Sequence, residues 1–200
     1  TDTDTAQVLE LGFVPFHRGV SGPRYARLVN PGCPIPPEAT EVHGITDAMV
    51  TDAPPLADVG PRFLAHVREA DVIVGYNILE YDAPILARDL GADWHQGKPL
   101  IDPLVLVRLD DVGRYWNGQG RHKLTAVAER LGVICPPKAH RATADCLLTG
   151  GVLWELLTWP AVQAALPDSL AETEDRLRMH KFHQDADFQA YLARVGGRAA

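Results

Sequence analysis

Apolar and polar positions along the chain alternate in blocks that predict strands and helices in turn. The run from Val8 to Phe16 is apolar apart from Glu10, a Gly- and Pro-containing stretch follows, and Tyr25 to Val29 is a second short run. This pattern predicts two strands joined by a hairpin turn. The prolines of "NPGCPIPPEAT" predict an ordered loop over residues 30–40.

Helical spacing and short apolar runs then follow one another. The predicted elements are a helix over 56–68, a strand over 71–75, a helix over 81–90, a strand over 98–102, and helices over 103–110, 124–131 and 142–157. This alternation predicts an α/β fold in which helices cover a sheet. The expected domain covers residues 1–158.

No strand pattern recurs beyond Pro160, and residues 159–200 are predicted to form a helical C-terminal extension. The helical segments are 161–166, 169–180 and 187–195. We expect Phe182, Phe188 and Tyr191 to pack back on the domain.

Composition and charge narrow the function classes. With 46% hydrophobic and 22% charged residues, and no run near the roughly 18 apolar residues that span a bilayer, the chain is typical of a soluble protein without a membrane partner. The three cysteines are widely separated, which argues against both a disulfide framework and a zinc site. This pattern favours a location in the reducing cytoplasm. The net charge of -7 disfavours a broad basic face for duplex DNA, but it suits a carboxylate cluster that binds cations.

The segment "VIVGYNILEYDAPIL" places Asn77 and Asp82 where a buried strand passes into a helix. Ligands collect at the carboxyl ends of strands in α/β folds, so Asp82 is a candidate functional residue. The alternative is that Asp82 only caps the helix.

The segment "AHRATADCLL" contains a second candidate pair, His140 and Asp145. Five residues span about 140° of a helix, so the two side chains converge only if His140 precedes the helix. The prolines of "CPPKAH" favour that arrangement. The alternative is a His and an Asp on a solvated helix face.

Six segments in this order resemble the DEDDh class of 3′-5′ exonucleases, the DnaQ-like family with an RNase H-like sheet. The similarity runs from about Val8 to Leu157, and it is carried by "VLELGFV", "EVHGITDAMVTDAPPLADV", "VGYNILEYDAPIL", "LIDPLVLVRL", "RHKLTAVAERLGV" and "HRATAD". The resemblance implies a central mixed β-sheet flanked by helices.

The resemblance also implies a reaction, the hydrolysis of terminal phosphodiesters by two divalent cations, Mg²⁺ or Mn²⁺. Asp145 and Asp82 would be metal ligands, because carboxylate oxygens suit hard cations. His140 would be the general base that takes the proton of the attacking water. His43, Gly44 and Ile45 of "HGIT", with Asn77 and Tyr81, would bind the substrate.

The family's first motif, DxExTG, supplies two further carboxylates on the strand before the one that contains Glu10. By this alignment the motif lies upstream of residue 1, and Asp2 and Asp4 belong to the loop after it. The alternative is that Asp2 and Asp4 are themselves a DxD version of the motif.

The leading functional expectation is a proofreading or repair 3′-5′ exonuclease that acts on the 3′ end of single-stranded DNA, with a DNA polymerase as an optional partner. One alternative is an exoribonuclease that trims RNA ends. Another is a catalytically incomplete module that binds nucleic acid or a polymerase.

Overall fold

An antiparallel strand pair begins the fold. The computed structural model describes residues 3–113, 120–134 and 141–196. Strand β1 (Glu10–Phe13) pairs with β4 (Tyr25–Leu28), and between them β2 (Phe16–His17) and β3 (Val20–Ser21) form a small second hairpin. The predicted pair of strands is confirmed. The first strand ends before Phe16 because Pro15 has no N–H to donate to the ladder.

Two short helices follow β4, namely α1 (Pro37–His43) and α2 (Asp47–Val50). The prediction of loop through residue 40 is therefore wrong for its last residues. Pro37 occupies the first helical turn, where its missing N–H costs no hydrogen bond. Helix α1 ends at Gly44, whose φ of 69° is the left-handed conformation typical of a helix C-terminus.

A parallel strand pair forms the next layer. Helix α3 (Leu56–Glu69) leads to β5 (Ile73–Val74), helix α4 (Asp82–Leu90) and β6 (Leu100–Ile101). Ile73 pairs with Leu100 and Val74 with Ile101. The predicted order of these elements is confirmed. Since parallel strands end at the same edge of a sheet, the residues after β5 and β6 become neighbours.

Helices α5 (Pro103–Val107), α6 (Asp110–Gly113), α7 (Leu124–Arg130) and α8 (Ala142–Leu156) complete the body. The core joins buried residues of the sheets to those of α3, α5, α7 and α8, including Leu11, Val67, Leu106, Val127 and Leu148. Strand β1 and α8 approach so closely that a Cβ on Gly12 would collide with that of Ala142. This contact places the start of α8 against β1.

The C-terminal extension is helical, as predicted, and consists of α9 (Pro160–Ala165) and the long α10 (Leu170–Gly196). Its packing differs from the expectation. Phe182 and Phe188 are 71% and 58% exposed, while Leu177 is fully buried in the main core. The side chain of Tyr191 lies outside the described part of the chain. The predicted division after residue 158 stays a prediction.

Polar contacts join α10 to the region of the parallel strands. The Leu100 N–H donates to the Glu174 carboxylate at 2.9 Å, and the Gln184 amide donates to the Val105 carbonyl at 3.1 Å. Lys181 forms an ion pair with Glu80. None of the helices in the described residues combines the length and apolar composition needed to cross a bilayer.

Candidate active site

Three acidic side chains converge at the edge of the sheet where β5 and β6 end. Asp82 is the first residue of α4, Asp102 follows β6 directly, and Asp145 lies in the first turn of α8. The charges of Asp102 and Asp145 both act on the Asp82 carboxyl, so the three are close in space. We call Asp82, Asp102 and Asp145 the acidic cluster. The structure thus brings together the two predicted acids, Asp82 and Asp145.

The Asp82 carboxyl is accessible to solvent, yet protein atoms surround it densely enough to weaken its hydration. This partial desolvation, with repulsion from Asp102 and Asp145, raises the pKa of Asp82 to about 6. A cation bound between Asp82 and Asp145 would relieve the repulsion. The electrostatics of the acidic cluster are therefore those expected of a cation site.

Asp102 organises the loop that leads into Asp82. Its Oδ1 accepts the N–H of Asn77 at 2.9 Å and that of Leu104 at 3.0 Å, and its Oδ2 accepts the N–H of Leu79 at 3.3 Å. Asp102 is 1% exposed. Burial raises its pKa, although the three N–H donors and the charge of Arg108 oppose this effect. No role for Asp102 was predicted from the sequence, although it lies between a buried strand and a helix, the same signal that indicated Asp82.

Asn77 and Tyr81 belong to the same connection, which we call the 75–81 loop. Asn77 has a φ of 62°, and its carbonyl accepts the N–H groups of Glu80 and Tyr81. Tyr81 is half-buried next to the acidic cluster, and burial together with the Asp82 charge raises its pKa. Tyr81 therefore lies beside Asp82, whereas Asn77 contacts Asp102 of the acidic cluster.

The start of α8 is fixed by Glu10. The Glu10 carboxylate accepts hydrogen bonds from Arg141 Nη2 at 2.6 Å and Nε at 3.1 Å, and from the Ala142 N–H at 2.9 Å. The Arg141 carbonyl in turn accepts the N–H of Asp145 at 3.0 Å. His140, the predicted general base, lies outside the described residues and directly precedes Arg141.

This contact was not predicted from the sequence, in which Glu10 served only to align the first motif. An acid inside an apolar strand was the available signal, because burying a carboxylate needs a compensating partner. Partial burial alone would raise the pKa of Glu10, but the hydrogen bonds and charge of Arg141, with the Ala142 N–H, lower it overall. Glu10 is therefore held as a carboxylate.

His43, Gly44 and Ile45 lie near the same end of α8. The His43 Nδ1 accepts the Ile45 N–H at 3.0 Å, so the neutral ring carries its proton on Nε2. Burial and the Arg141 charge lower the pKa of His43, against the opposing effect of Glu10. Its Nε2 is buried without a hydrogen-bond partner among the described residues. The Ile45 side chain is 3% exposed and packs in a small separate cluster.

The first residues of the chain lie against the far end of α4. Arg88 donates to the carbonyl oxygens of Thr3, Asp4 and Ala6 at 2.8, 2.9 and 2.6 Å. Asp4 is exposed in a turn, whereas Asp82 lies at the opposite end of that helix. This placement favours the interpretation of Asp4 as a loop residue. Asp2 lies outside the described residues.

The chain belongs to the exonuclease family, whose pattern it matches over residues 1–153. It is 37% identical over 149 residues to the DNA polymerase III subunit epsilon-like protein of Rhodobacter capsulatus, covering 74% of this chain and 20% of that protein. It is 28% identical to DNA polymerase III subunit epsilon of Aquifex aeolicus, covering 78% of this chain and 74% of that one. It is 30% identical to exodeoxyribonuclease 10 of Escherichia coli K12, and the match covers 82% of this chain and 71% of that protein. The chain thus spans a fifth of the length of the first relative.

A solved structure of exonuclease X in complex with 5′ overhanging duplex DNA superposes with a TM-score of 0.63 at 25% identity, covering 86% of this chain and 91% of that chain. An exonuclease I from Methylocaldum szegediense has a TM-score of 0.59 at 21% identity, covering 82% of this chain and 38% of that one, and shows the fold alone. The predicted RNase H-like α/β fold and the predicted DnaQ-like 3′-5′ exonuclease family are confirmed.

Divalent-metal dependence is a property of this family, and the acidic cluster fits it. Asp82 and Asp145 offer the hard oxygen ligands that Mg²⁺ and Mn²⁺ prefer, and their mutual repulsion is what a cation would neutralise. Within the described ranges, no three His, Cys, Asp or Glu side chains are grouped so that they could hold an ion. Because the oxygens of the third acid, Asp102, already accept backbone N–H groups, Asp82 and Asp145 stay the two predicted ligands in this part of the chain.

Proposed function

We propose that this chain removes nucleotides from the 3′ end of single-stranded DNA by hydrolysing the terminal phosphodiester, with Mg²⁺ or Mn²⁺ as a pair of ions in the site. The observation that carries the proposal is the convergence of Asp82 and Asp145, whose charges act on each other at the edge of the sheet. DNA is favoured over RNA because the names of the similar curated proteins refer to DNA polymerase III and to an exodeoxyribonuclease.

Asp82 and Asp145 would hold the cations. When bound, the cations supply an activated water and a positive charge that stabilises the departing 3′ oxygen. His140 accepts the proton of the attacking water, a role suited to a side chain that titrates near neutrality. Because Arg141 is tied to Glu10, the chain on the C-terminal side of His140 is held against β1.

The terminal nucleotide is bound by the residues on either side of the acidic cluster. The His43 Nε2–H is a buried donor without a partner among the described residues, and a buried donor gains most from a ligand acceptor. The Gly44 backbone offers a surface without a side chain next to it. Asn77 and Tyr81 border the Asp82 side.

We also propose a setting for the activity. A DNA polymerase is the protein partner in this proposal, since two of the similar proteins are named as polymerase epsilon subunits or as similar to one. The cytoplasm is the proposed location, because Cys33 and Cys146 are free cysteines.

The test is cleavage of matched DNA and RNA oligonucleotides, each 5′-labelled and of the same sequence, in the presence of Mn²⁺ or Mg²⁺. A ladder that shortens from the 3′ end of DNA supports the proposal, and Asp145→Ala should abolish it. Asp4→Ala is the matched control and should leave the rate unchanged. Faster cleavage of RNA would favour an exoribonuclease, and tight binding without cleavage would favour a non-catalytic binding module.

A further inference from the structure

A carboxylate that directly follows the neighbouring strand helps to hold the 75–81 loop in place. Within the described residues, Asp102 is the only fully buried carboxylate. Burying a charge is strongly unfavourable in proteins unless hydrogen bonds compensate it. At Asp102 the compensation comes from three backbone N–H groups, and two of them belong to Asn77 and Leu79. The charge is thus placed where it fixes the backbone just before Asp82.

The loop itself is a tight turn that closes on Ile78. A Cβ on Gly75 would lie 2.7 Å from the Cβ of Ile78, so the Ile78 side chain packs where only glycine leaves room. Asn77 adopts a φ of 62°, a conformation that is unfavourable for most residues with a side chain. The Ala83 N–H donates back to the Ile78 carbonyl at 2.9 Å. A turn of this kind needs outside support, and Asp102 supplies two of its hydrogen bonds.

The oxygens of Asp102 are already engaged. Oδ1 accepts two N–H groups and Oδ2 accepts one, while the side chain has almost no exposed surface. It therefore has little capacity to bind an ion directly. Its negative charge nevertheless acts on Asp82, which adds to the attraction for a cation bound there.

We propose that Asp102 is the positioning residue of the metal site: it fixes the 75–81 loop so that the Asp82 carboxylate faces Asp145 before a cation arrives. This inference rests on the proposed function, since it assigns Asp82 as a ligand. Residues that orient metal ligands typically contribute about 10- to 100-fold to metal affinity or activity. Asp102 therefore acts through Asp82 rather than on the substrate.

The test is Asp102→Asn, which keeps the shape of the side chain but removes the charge and turns one acceptor into a donor facing the Leu79 N–H. Mn²⁺ binding is measured directly, by electron paramagnetic resonance of the free ion, and as the Mn²⁺ concentration that gives half-maximal cleavage. We expect both midpoints to rise about 10-fold, with kcat restored toward wild type at high Mn²⁺ and the KM for the oligonucleotide nearly unchanged.

A second variant approaches the same loop without touching Asp102. Gly75→Ala introduces the Cβ that collides with Ile78 and should raise the Mn²⁺ midpoint in the same direction. It decides the question if Asp102→Asn does not fold. Thr173→Val is the matched control, since Thr173 is also a buried polar residue, at 5% exposure, but lies in α10. The Mn²⁺ midpoint of Thr173→Val should equal that of the wild type.

The inference is overturned if the folded loop variants bind Mn²⁺ with the wild-type midpoint. Direct binding needs no catalytic activity, so it separates this outcome from a failure of the proposed function. A wild-type protein that binds Mn²⁺ but cleaves neither DNA nor RNA would refute the proposed function. The Mn²⁺ affinity of Asp102→Asn would still test the role of Asp102.

Discussion

Glu10 on β1 and Arg141 before α8 form an ion pair of 2.6 Å that joins positions 131 residues apart in the chain. The ion pair is bidentate, because Arg141 donates to both carboxylate oxygens of Glu10. The Ala142 N–H adds a third hydrogen bond. Helix α8 thereby receives its N-terminal cap from β1 instead of from its own first residue. The acid of one strand thus determines where the helix that contains Asp145 begins.

Glu10→Gln should lower the free energy of unfolding by about 1–2 kcal/mol, because the Arg141 charge loses its partner in a partly buried place. Arg178→Ala is the matched control. The Arg178 pair with Glu174 is an i,i+4 contact at 51% exposure, and such pairs contribute at most about 0.5 kcal/mol. Urea denaturation of both variants measures the difference, and equal effects would show that Glu10 is an ordinary surface partner.

The same contact should make stability depend on pH. The pKa of Glu10 is lowered in the folded state from its ordinary value of 4.5, so the unfolded state takes up the proton first as pH falls. The stabilisation is complete above about pH 4.5 and is lost as pH falls through the lower folded-state value. The gap in unfolding free energy between wild type and Glu10→Gln should therefore stay constant from pH 8 to pH 5 and narrow below pH 4.5. A gap that widens in acid would contradict this assignment.

Asp82→Asn should stabilise the metal-free protein while abolishing cleavage. The pKa of Asp82 is raised to about 6, so the charged form weakens the fold above that pH, and the effect disappears below about pH 4. Because the side chain is exposed, solvent screening limits the expected gain at pH 7.5 to about 1 kcal/mol. Thermal unfolding without metal at pH 7.5 and pH 4 measures it.

Added Mn²⁺ supplies the control for Asp82→Asn. An ion that binds only the folded state raises the unfolding temperature. The wild-type protein should gain more from Mn²⁺ than the variant, which lacks one ligand. Equal gains would mean that Asp82 takes no part in metal binding.

Local patterns were sufficient to predict the elements of the site but not their contacts. A buried strand followed by a helix placed Asp82 at the sheet edge, because that information lies within a few neighbouring residues. The hydrogen bonds of Asp102 to Asn77 and of Glu10 to Arg141 cross 25 and 131 residues. No periodicity in the sequence specifies such pairings, so the two anchoring carboxylates were not recognised as anchors.

The sequence pattern also did not predict which side of the C-terminal helix packs on the domain. The aromatic residues suggested which side chains would pack back, yet Phe182 is exposed and Leu177 is buried. The orientation of a helix depends on the surface that receives it, here α5 and β6, and polar anchors such as the Glu174 contact with the Leu100 N–H contribute to it. The hydrophobicity of the segment alone does not indicate whether the side of the helix with Phe182 or the side with Leu177 is buried.

Leu177→Ala should therefore destabilise the protein by about 2–5 kcal/mol, since it removes a fully buried side chain from the main core. Phe182→Ala, a larger truncation at an exposed position of the same helix, is the control and should change stability by less than about 0.5 kcal/mol. Chemical denaturation measures both. A larger loss for Phe182→Ala would mean that its ring is covered in solution.

His140→Ala should lower turnover by about 100-fold or more while leaving oligonucleotide binding nearly unchanged, as expected for the loss of a general base. His43→Gln provides the comparison at the neighbouring histidine. It replaces a buried donor proposed to contact the nucleotide, so it should weaken binding more than it slows the chemical step. Single-turnover cleavage and filter binding at a saturating Mn²⁺ concentration separate the two effects. Turnover that survives in His140→Ala but falls in His43→Gln would transfer the role of base to His43 and require a different geometry for the attacking water.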